Sequence, residues 1–476
     1  MRKRVIFWVA AIAAWAPFAA LFLIGAGFLL PGAAALGGAA GVLACIALCA
    51  GAVALAGAWL VVARRFAFAA AMLRPGASLP QPAPAEGARV LLVWDTAGGF
   101  DATALALSRR QNYPLLRTVI VDDGTDAARR RAVQSFAIRH NNVEVFAAMP
   151  GGAGLNTLLL GRSDYDFCVF GGEDLLLPAD FVRRALDYFA EGGCGCVQGR
   201  IAEAGTGLIA RVSGSASAVA AAERAVCERY GEDTLCAAGG VMFSRACIEG
   251  SGGFPYVPAP LPSFAADVCG AGFAIRFAPD IAVLRAPRTL PARRAENARL
   301  AASAREYART CARTETRFPR GGAQRADAFF TALDRAVWPL TLLASLCAAA
   351  LASANYFVWQ GVLLVLLTGL LLYAASAAEA LAADRADPPA ALLYALARFA
   401  LDFGGPLAVP RTPSLQSAAV RAGISIAAGI ALLLLAGFVC GNAWPLFCTA
   451  LGCFLSPAAV CLPLAHYSAP QGGEEE

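Results

Sequence analysis

Two acidic clusters hold most of the chemistry this sequence can offer. Asp122-Asp123-Gly124 follows the apolar run Leu115 to Val121, and Gly172-Glu173-Asp174 follows Phe167 to Phe170. Paired carboxylates at strand ends can hold Mg²⁺ or Mn²⁺ against a diphosphate, and the metal then neutralises charge on the departing group as a Lewis acid. A strand-end aspartate can also accept hydrogen bonds from a base or a ribose. The bland alternative is punctuation: Asp-Asp-Gly is a common turn, and Gly-Gly-Glu-Asp is a polar loop before a helix. Spacing alone leans to the turn. Zinc chemistry is not expected. Among 15 cysteines no Cys-x-x-Cys occurs, Cys194-Gly-Cys196 is too tight, and His140 and His466 are the only histidines.

The elements around these clusters alternate. Val90 to Trp94, Leu115 to Val121, Val143 to Phe146 and Phe167 to Phe170 read as buried strands. Asp101 to Arg110, Ala127 to Arg139 and Leu155 to Leu160 read as helices. Such alternation predicts an α/β fold with a largely parallel sheet covered on both faces. Ligands of such sheets bind beyond the carboxyl ends of the strands, so both acidic clusters belong to one crevice.

Several blocks, in order, resemble family 2 glycosyltransferases. Val119-Ile120-Val121-Asp122-Asp123-Gly124-Thr125-Asp126 is similar to that family's strand and Asp-Asp-Gly turn. Gln111-Asn112-Tyr113-Pro114, Gly154-Leu155-Asn156 and the stretch from Asp164-Tyr165 to Pro178-Ala179-Asp180-Phe181 fall where it has Gln-Asp-Tyr-Pro, Gly-Ala-Leu-Asn and its Asp-x-Asp region. Val197-Gln198-Gly199-Arg200 matches a further strand. Gly240 to Arg245 with Gly252-Gly253-Phe254-Pro255 looks like a later "F-R-R … G-G-F" block, and Gly272-Phe273 like a Gly-Tyr pair. The resemblance covers about residues 89–318. It implies a GT-A-like, Rossmann-type soluble domain that binds a nucleotide sugar. Asp122, Asp123 and Arg299 would touch the nucleotide, and Asp174 and Glu173 would hold Mg or Mn.

The departures concern the catalytic positions. The family's Pro-x-Tyr-Asn-Glu is replaced by Trp94-Asp95-Thr96-Ala97-Gly98, and a motif lysine by Gly151. The first Asp-x-Asp carboxylate is Gly172. The Thr-Glu-Asp motif, source of the base, falls near Ala259-Pro260-Leu261, where no acid stands. Its Gln-x-x-Arg-Trp becomes Glu296-Asn297-Ala298-Arg299-Leu300. Loss of a general base typically costs ~10²–10⁴ in rate. Asp267 is a candidate displaced base, although a solvated helix acid is the commoner role. Glu232-Asp233 reads mainly as a helix-end turn.

The rest of the chain is membrane-like. The 476 residues have a mean hydropathy of +0.58. They are 58% hydrophobic and only 15% charged, against ~25% for a soluble domain. Val5 to Ala63 lacks charge and is long enough for two spans of about 20 residues, broken at Pro31-Gly32. A cleaved signal is a poor fit to an apolar stretch of this length. Two more spans are expected in 336–378, meeting near Asn355, and two in 422–464, meeting near Gly441-Asn442. Between these lie a Pro-rich linker (64–88), the soluble domain (89–318), an amphipathic interfacial segment (319–335), a cytosolic or interfacial connection (379–421) and a tail (465–476). Within the connection, Ala390 to Phe403 reads as an interfacial amphipathic helix or as a half-buried helix of the soluble domain.

Lys and Arg cluster at Arg2-Lys3-Arg4, at Arg64, Arg65 and Arg74, and at Arg385, Arg398, Arg411 and Arg421. The positive-inside rule then predicts an inner (plasma) membrane protein with both termini and the domain in the cytoplasm. The net charge of +5 marks these flanks and calls for no nucleic acid. The expected reading is a membrane glycosyltransferase acting on a lipid-linked or polysaccharide acceptor. The alternatives are an inactive scaffold for other membrane assembly subunits and a transporter, and the transporter reading is disfavoured because no charge lies inside the expected spans.

Overall fold

The computed structural model describes residues 2–74, 87–286 (except 97–98, 123, 125, 148–152, 173, 191, 206, 231–239 and 255–259), Arg309, 322–353 and 359–407. The chain forms two compact units: Met1–Leu73, Arg288–Ala302 and Phe330–Glu476 in one, Arg74–Pro287 and Ser303–Phe329 in the other.

The second unit is α/β. Its strands are β1 (Val90–Asp95), β2 (Leu116–Asp122), β3 (Val143–Ala147), β4 (Phe167–Gly172), β5 (Leu175–Leu176), β6 (Cys194–Glu203), β7 (Val241–Ser244) and β8 (Ala274–Arg285). Numbering helices from the chain start, they alternate with α3 (Ala102–Ser108), α4 (Ala127–Arg139), α5 (Ala153–Leu160), α6 (Phe181–Phe189), α7 (Leu208–Tyr230), α8 (Arg245–Ser251) and α9 (Pro260–Gly270). The sheet order is β3-β2-β1-β4-β7-β6-β8-β5. The sheet is mixed: β1, β2, β3 and β4 are parallel to one another, as expected, and β6 is parallel to β8, but two strands depart from this direction. β7 runs antiparallel to both β4 and β6, and β5 antiparallel to β8. Apolar runs buried on both faces look alike in either direction, so strand direction was not legible.

Alternate strand residues build two cores. Leu92, Trp94, Ile120, Val169, Val197 and Met242 pack toward Leu105, Phe136 and Phe181 of α3, α4 and α6. Leu91, Val93, Val119, Cys168, Cys196 and Phe243 pack toward Leu158, Ile248, Phe264 and Val268 of α5, α8 and α9. Asp101 and Asp126 cap α3 and α4, each accepting from two backbone N–H groups, which explains why those helices start where they do.

A side-chain clamp holds the second core. The Asn156 amide donates to the Phe254 carbonyl (2.8 Å) and accepts from the Phe254 N–H (2.7 Å) while buried. Gly253, at φ +83, cannot carry a Cβ, which would stand 2.6 Å from Asn156 Oδ1. Asn156→Ala leaves a buried donor and acceptor unpaired. It should lower domain stability by about 2–3 kcal/mol, read by chemical unfolding monitored at the tryptophans.

The other unit is helical: α1 (Arg2–Ala34), α2 (Gly38–Met72), most of α10 (Gly322–Ser353), α11 (Trp359–Ala383) and α12 (Pro388–Leu407). Two stretches among the described residues are long and apolar enough to cross a membrane, Trp15–Ala34 and Gly38–Met72, with mean hydropathy 1.8 and 2.4. The first hairpin does not break at Pro31-Gly32. α1 runs through Pro31, whose carbonyl accepts from Ala35 N–H, and the turn comes at Gly37 and Gly38, both at positive φ. The left-handed glycines reverse the chain. α2 also passes Arg64-Arg65 without a break. α10 joins the expected interfacial segment and the third span into one helix, α11 overlaps the fourth, and 422–464 lies outside the described residues. Small residues allow close packing: a Cβ on Gly51 would meet Cys347 Cβ at 3.2 Å.

Within the stretch read as an amphipathic helix, 390–403, the charged residue Arg398 does not face solvent. Arg398 of α12 is buried. It donates to Glu379 of α11 (2.6 Å) and Asp334 of α10 (3.4 Å), while Arg65 of α2 donates to Asp334 (2.9 Å) and Ser376 (2.6 Å). The charge faces inward because two buried carboxylates wait for it.

Candidate active site

The sheet order reverses at β1. The chain passes from β1 to β2 and β3 on one side, then returns to β4 on the other. Ligands of open α/β sheets sit beyond the strand carboxyl ends at such a reversal. Asp95 ends β1, in register with Val121 and Gly172. Asp122 lies one residue further along β2, opposite Ala147. The structure thus brings Asp95, Asp122, Gly172 and Asp174 to one edge. Sequence reasoning did not nominate Asp95. Its signal was available, since it closes an apolar strand just as Asp122 does.

Asp122 is buried and engaged by its own loop. Its carboxylate accepts from Gly124 N–H (3.3 Å) and stands 3.5 Å from Arg129 Nε and 3.9 Å from Arg130 Nε. Gly124 is required at φ +67, where a Cβ would meet the Arg130 guanidinium at 2.6 Å. Cations in the first turn of α4 oppose the helix dipole, and the Asp126 cap and the Asp122 carboxylate offset them. The turn reading of Asp-Asp-Gly is therefore realised at Asp122, while Asp123 lies outside the described residues.

Asp174 follows β4, and its carbonyl accepts from Ala286 N–H (2.8 Å). Its carboxylate stands 3.6 Å from Arg285 Nε. On the other side, Arg285 Nη1 stands 3.7 Å from Glu203 Oε1, an oxygen that also accepts from Ser217 Oγ (3.1 Å). The ladder sets this up: Arg285 closes β8 and is in register with Leu175 of β5 and Glu203 of β6. Neither Glu203 nor Arg285 was nominated from sequence. The described donors do not suit a divalent cation. Gly172 supplies no ligand, Asp174 supplies one carboxylate, and that carboxylate already faces a guanidinium. No group of three or more acidic, histidine or cysteine ligands occurs among the described residues. Glu173 lies outside them.

Asp267 stands elsewhere. It is half-buried in the last turns of α9, where its carbonyl accepts from Ala271 N–H, and the helix leads to the amino end of β8. The start of α9 at Pro260 carries no acid. Arg299, Glu232 and Asp233 lie outside the described residues. In the second core, burial pushes the Cys247 thiol up to about 12 and the Cys168 thiol higher still.

No family model and no curated protein matches the chain. Solved structures do resemble it. A mannosyltransferase from Pyrobaculum calidifontis, in complex with GDP-Man and Mn²⁺, is 20% identical over 74% of this chain and 99% of that one, with a TM-score of 0.48. S. aureus TarS 1–349, in complex with UDP-GlcNAc, is 15% identical over 62% and 89%, with a TM-score of 0.36. GalNAc-T7, with UDP, GalNAc and Mn²⁺, is 11% identical over 47% and 50%, with a TM-score of 0.33.

Proposed function

We propose that the α/β unit binds a nucleoside diphosphate sugar in the manner of a GT-A-like glycosyltransferase and transfers the sugar to a lipid-linked or polysaccharide acceptor. The observation that carries this reading is the convergence of Asp95, Asp122 and Asp174 on the carboxyl edge where the strand order reverses. The order of the sequence blocks described above supports it. The apolar helices and the placement of Lys and Arg support a multi-pass membrane protein with this unit in the cytoplasm.

Transfer forms a bond from the acceptor oxygen to the anomeric carbon, breaks the bond from that carbon to the diphosphate, and delivers the acceptor proton to a base. The charged edge is suited to binding and orienting the nucleotide. A second reading, a nucleotide-binding scaffold for other membrane assembly subunits, is favoured by one observation: the start of α9 lacks an acid, and Asp267 sits at its far end.

Calorimetric titration of the full-length protein in lipid with UDP, GDP and their sugars tests the binding step. At least one should bind, and Asp122→Asn should weaken it about tenfold, one charge-assisted hydrogen bond. Absence of binding for every nucleoside diphosphate would sink both readings. Binding without release of nucleoside diphosphate from any nucleotide sugar selects the scaffold.

A further inference from the structure

We infer that Arg285 is the cation that receives the diphosphate, in the place where a divalent metal would otherwise stand. This rests on the nucleotide-binding reading above and specifies how that site handles phosphate charge.

The argument begins with the path of the chain. It leaves β4 at Gly172 and by Leu175 is paired with Arg285 of β8. This short step draws the far strands to the end of β4 and sets a guanidinium 3.6 Å from the Asp174 carboxylate. A metal bound by Asp174 would therefore sit against a fixed positive charge, and like charges at that range repel strongly.

Asp174 and Glu203 face the guanidinium as ion-pair partners. Its distances to Asp174 and Glu203, 3.6 and 3.7 Å, exceed the ~2.7–2.9 Å of a charge-assisted hydrogen bond. Arg285 is locked at the end of a strand, with its side chain 8% exposed, so it loses little freedom when a ligand arrives. Asp174 is the more open partner, at 30%. The Glu203 side chain is buried at 3%, and among the described residues its Oε2 has no hydrogen-bond partner. The site is thus a buried arginine between one buried and one accessible carboxylate. A planar guanidinium matches a diphosphate through two parallel hydrogen bonds, and the accessible carboxylate is the group the phosphate would displace.

The sign of one substitution separates the two possibilities. If Asp174 is a metal ligand, Asp174→Asn weakens nucleotide binding. If Asp174 is the counter-charge that competes with phosphate for Arg285, the same change strengthens it. The experiment is calorimetric titration of UDP and GDP into full-length wild type, Asp174→Asn and Arg285→Lys, each with EDTA and with Mn²⁺. Thermal melting of each variant checks folding. The expected result is wild-type affinity in EDTA within about twofold of that in Mn²⁺. Asp174→Asn should bind severalfold tighter. Arg285→Lys, which keeps the charge but loses the planar fork, should bind about tenfold more weakly. Wild-type binding that needs Mn²⁺, or Asp174→Asn binding no tighter than wild type, overturns the inference while leaving the nucleotide reading intact. Failure of any nucleoside diphosphate to bind wild type removes that reading and this inference with it.

Discussion

Asp334→Asn is expected to destabilise the helical unit by about 3–5 kcal/mol, the cost of breaking a buried ion network by removing one partner. Asp334 lies between two arginines from different helices, accepting from Arg65 at 2.9 Å and Arg398 at 3.4 Å. Neutralising it removes the carboxylate that pairs with Arg65 and one of the two that pair with Arg398. Arg65 and Glu379 are fully buried, so solvent cannot take over the lost interaction. Replacing Arg65 and Arg398 with methionine, and Asp334 and Glu379 with leucine, should be far milder. Well-packed apolar substitutes often equal or exceed a buried ion network in stability. Unfolding of the full-length protein in detergent, followed by tryptophan fluorescence, would compare the two. If the quadruple variant is as unstable as Asp334→Asn, the loss does not come from unpaired charge.

The network also bears on function. Ionisable residues within a membrane helix are functional suspects by default. Here Arg65 lies just after the expected second span, Asp334 just before the third and Glu379 just after the fourth. Ion pairs join all four: Arg65 and Arg398 pair with Asp334, and Arg398 also pairs with Glu379. That arrangement fits a lock joining α2, α10, α11 and α12 better than a path for an ion. Double-variant cycles between Arg398 and Glu379 would show coupling in stability, the signature of a lock.

How much of this was legible in the sequence depends on the range of the interaction. α4 was read to the residue at Ala127 to Arg139, because Asp126 caps it and the apolar spacing sustains it. The first four strands were read to within two residues, as apolar runs closed by Asp, Asn or Gly. The edge holding Asp122 and Asp174 followed from those strands alone. What stayed hidden is long-range. β5 has two residues, too few for any pattern, yet its pairing with β8 places Arg285. Glu203 and Arg285 are 82 positions apart, and only the β6–β8 register makes them neighbours. Arg398 looked like the polar stripe of a surface helix because its partners, Glu379 and Asp334, lie on other helices. Local pattern shows which residues are amphipathic, and it does not show which side meets a buried counter-charge.

Gly172→Asp should convert the nucleotide site to metal dependence, and of the two adjacent glycines only this one allows it. A Cβ on Gly171 would meet the Trp94 ring at 2.7 Å, so that residue must remain glycine. Among the described residues, a Cβ on Gly172 meets only the Asp95 carbonyl oxygen, at 3.8 Å, an ordinary van der Waals contact. An aspartate there adds a carboxylate two residues before Asp174, at the carboxyl end of β4. The described cluster of Asp174, Arg285 and Glu203 carries one positive and two negative charges. A further carboxylate raises the excess to two, enough to attract a divalent cation despite the guanidinium. Two carboxylates plus substrate phosphates are a usual set for Mg²⁺ or Mn²⁺. The expected result is Mn²⁺ binding seen by loss of the free-ion electron paramagnetic resonance signal. Nucleoside diphosphate affinity should rise about tenfold or more with Mn²⁺, roughly 1.4 kcal/mol per tenfold. Wild type should show neither effect. If Gly172→Asp folds normally and titrates no Mn²⁺, with or without nucleotide, the new carboxylate has paired with Arg285 instead. The guanidinium then dominates the site, and a double variant that also carries Arg285→Ala should recover the metal.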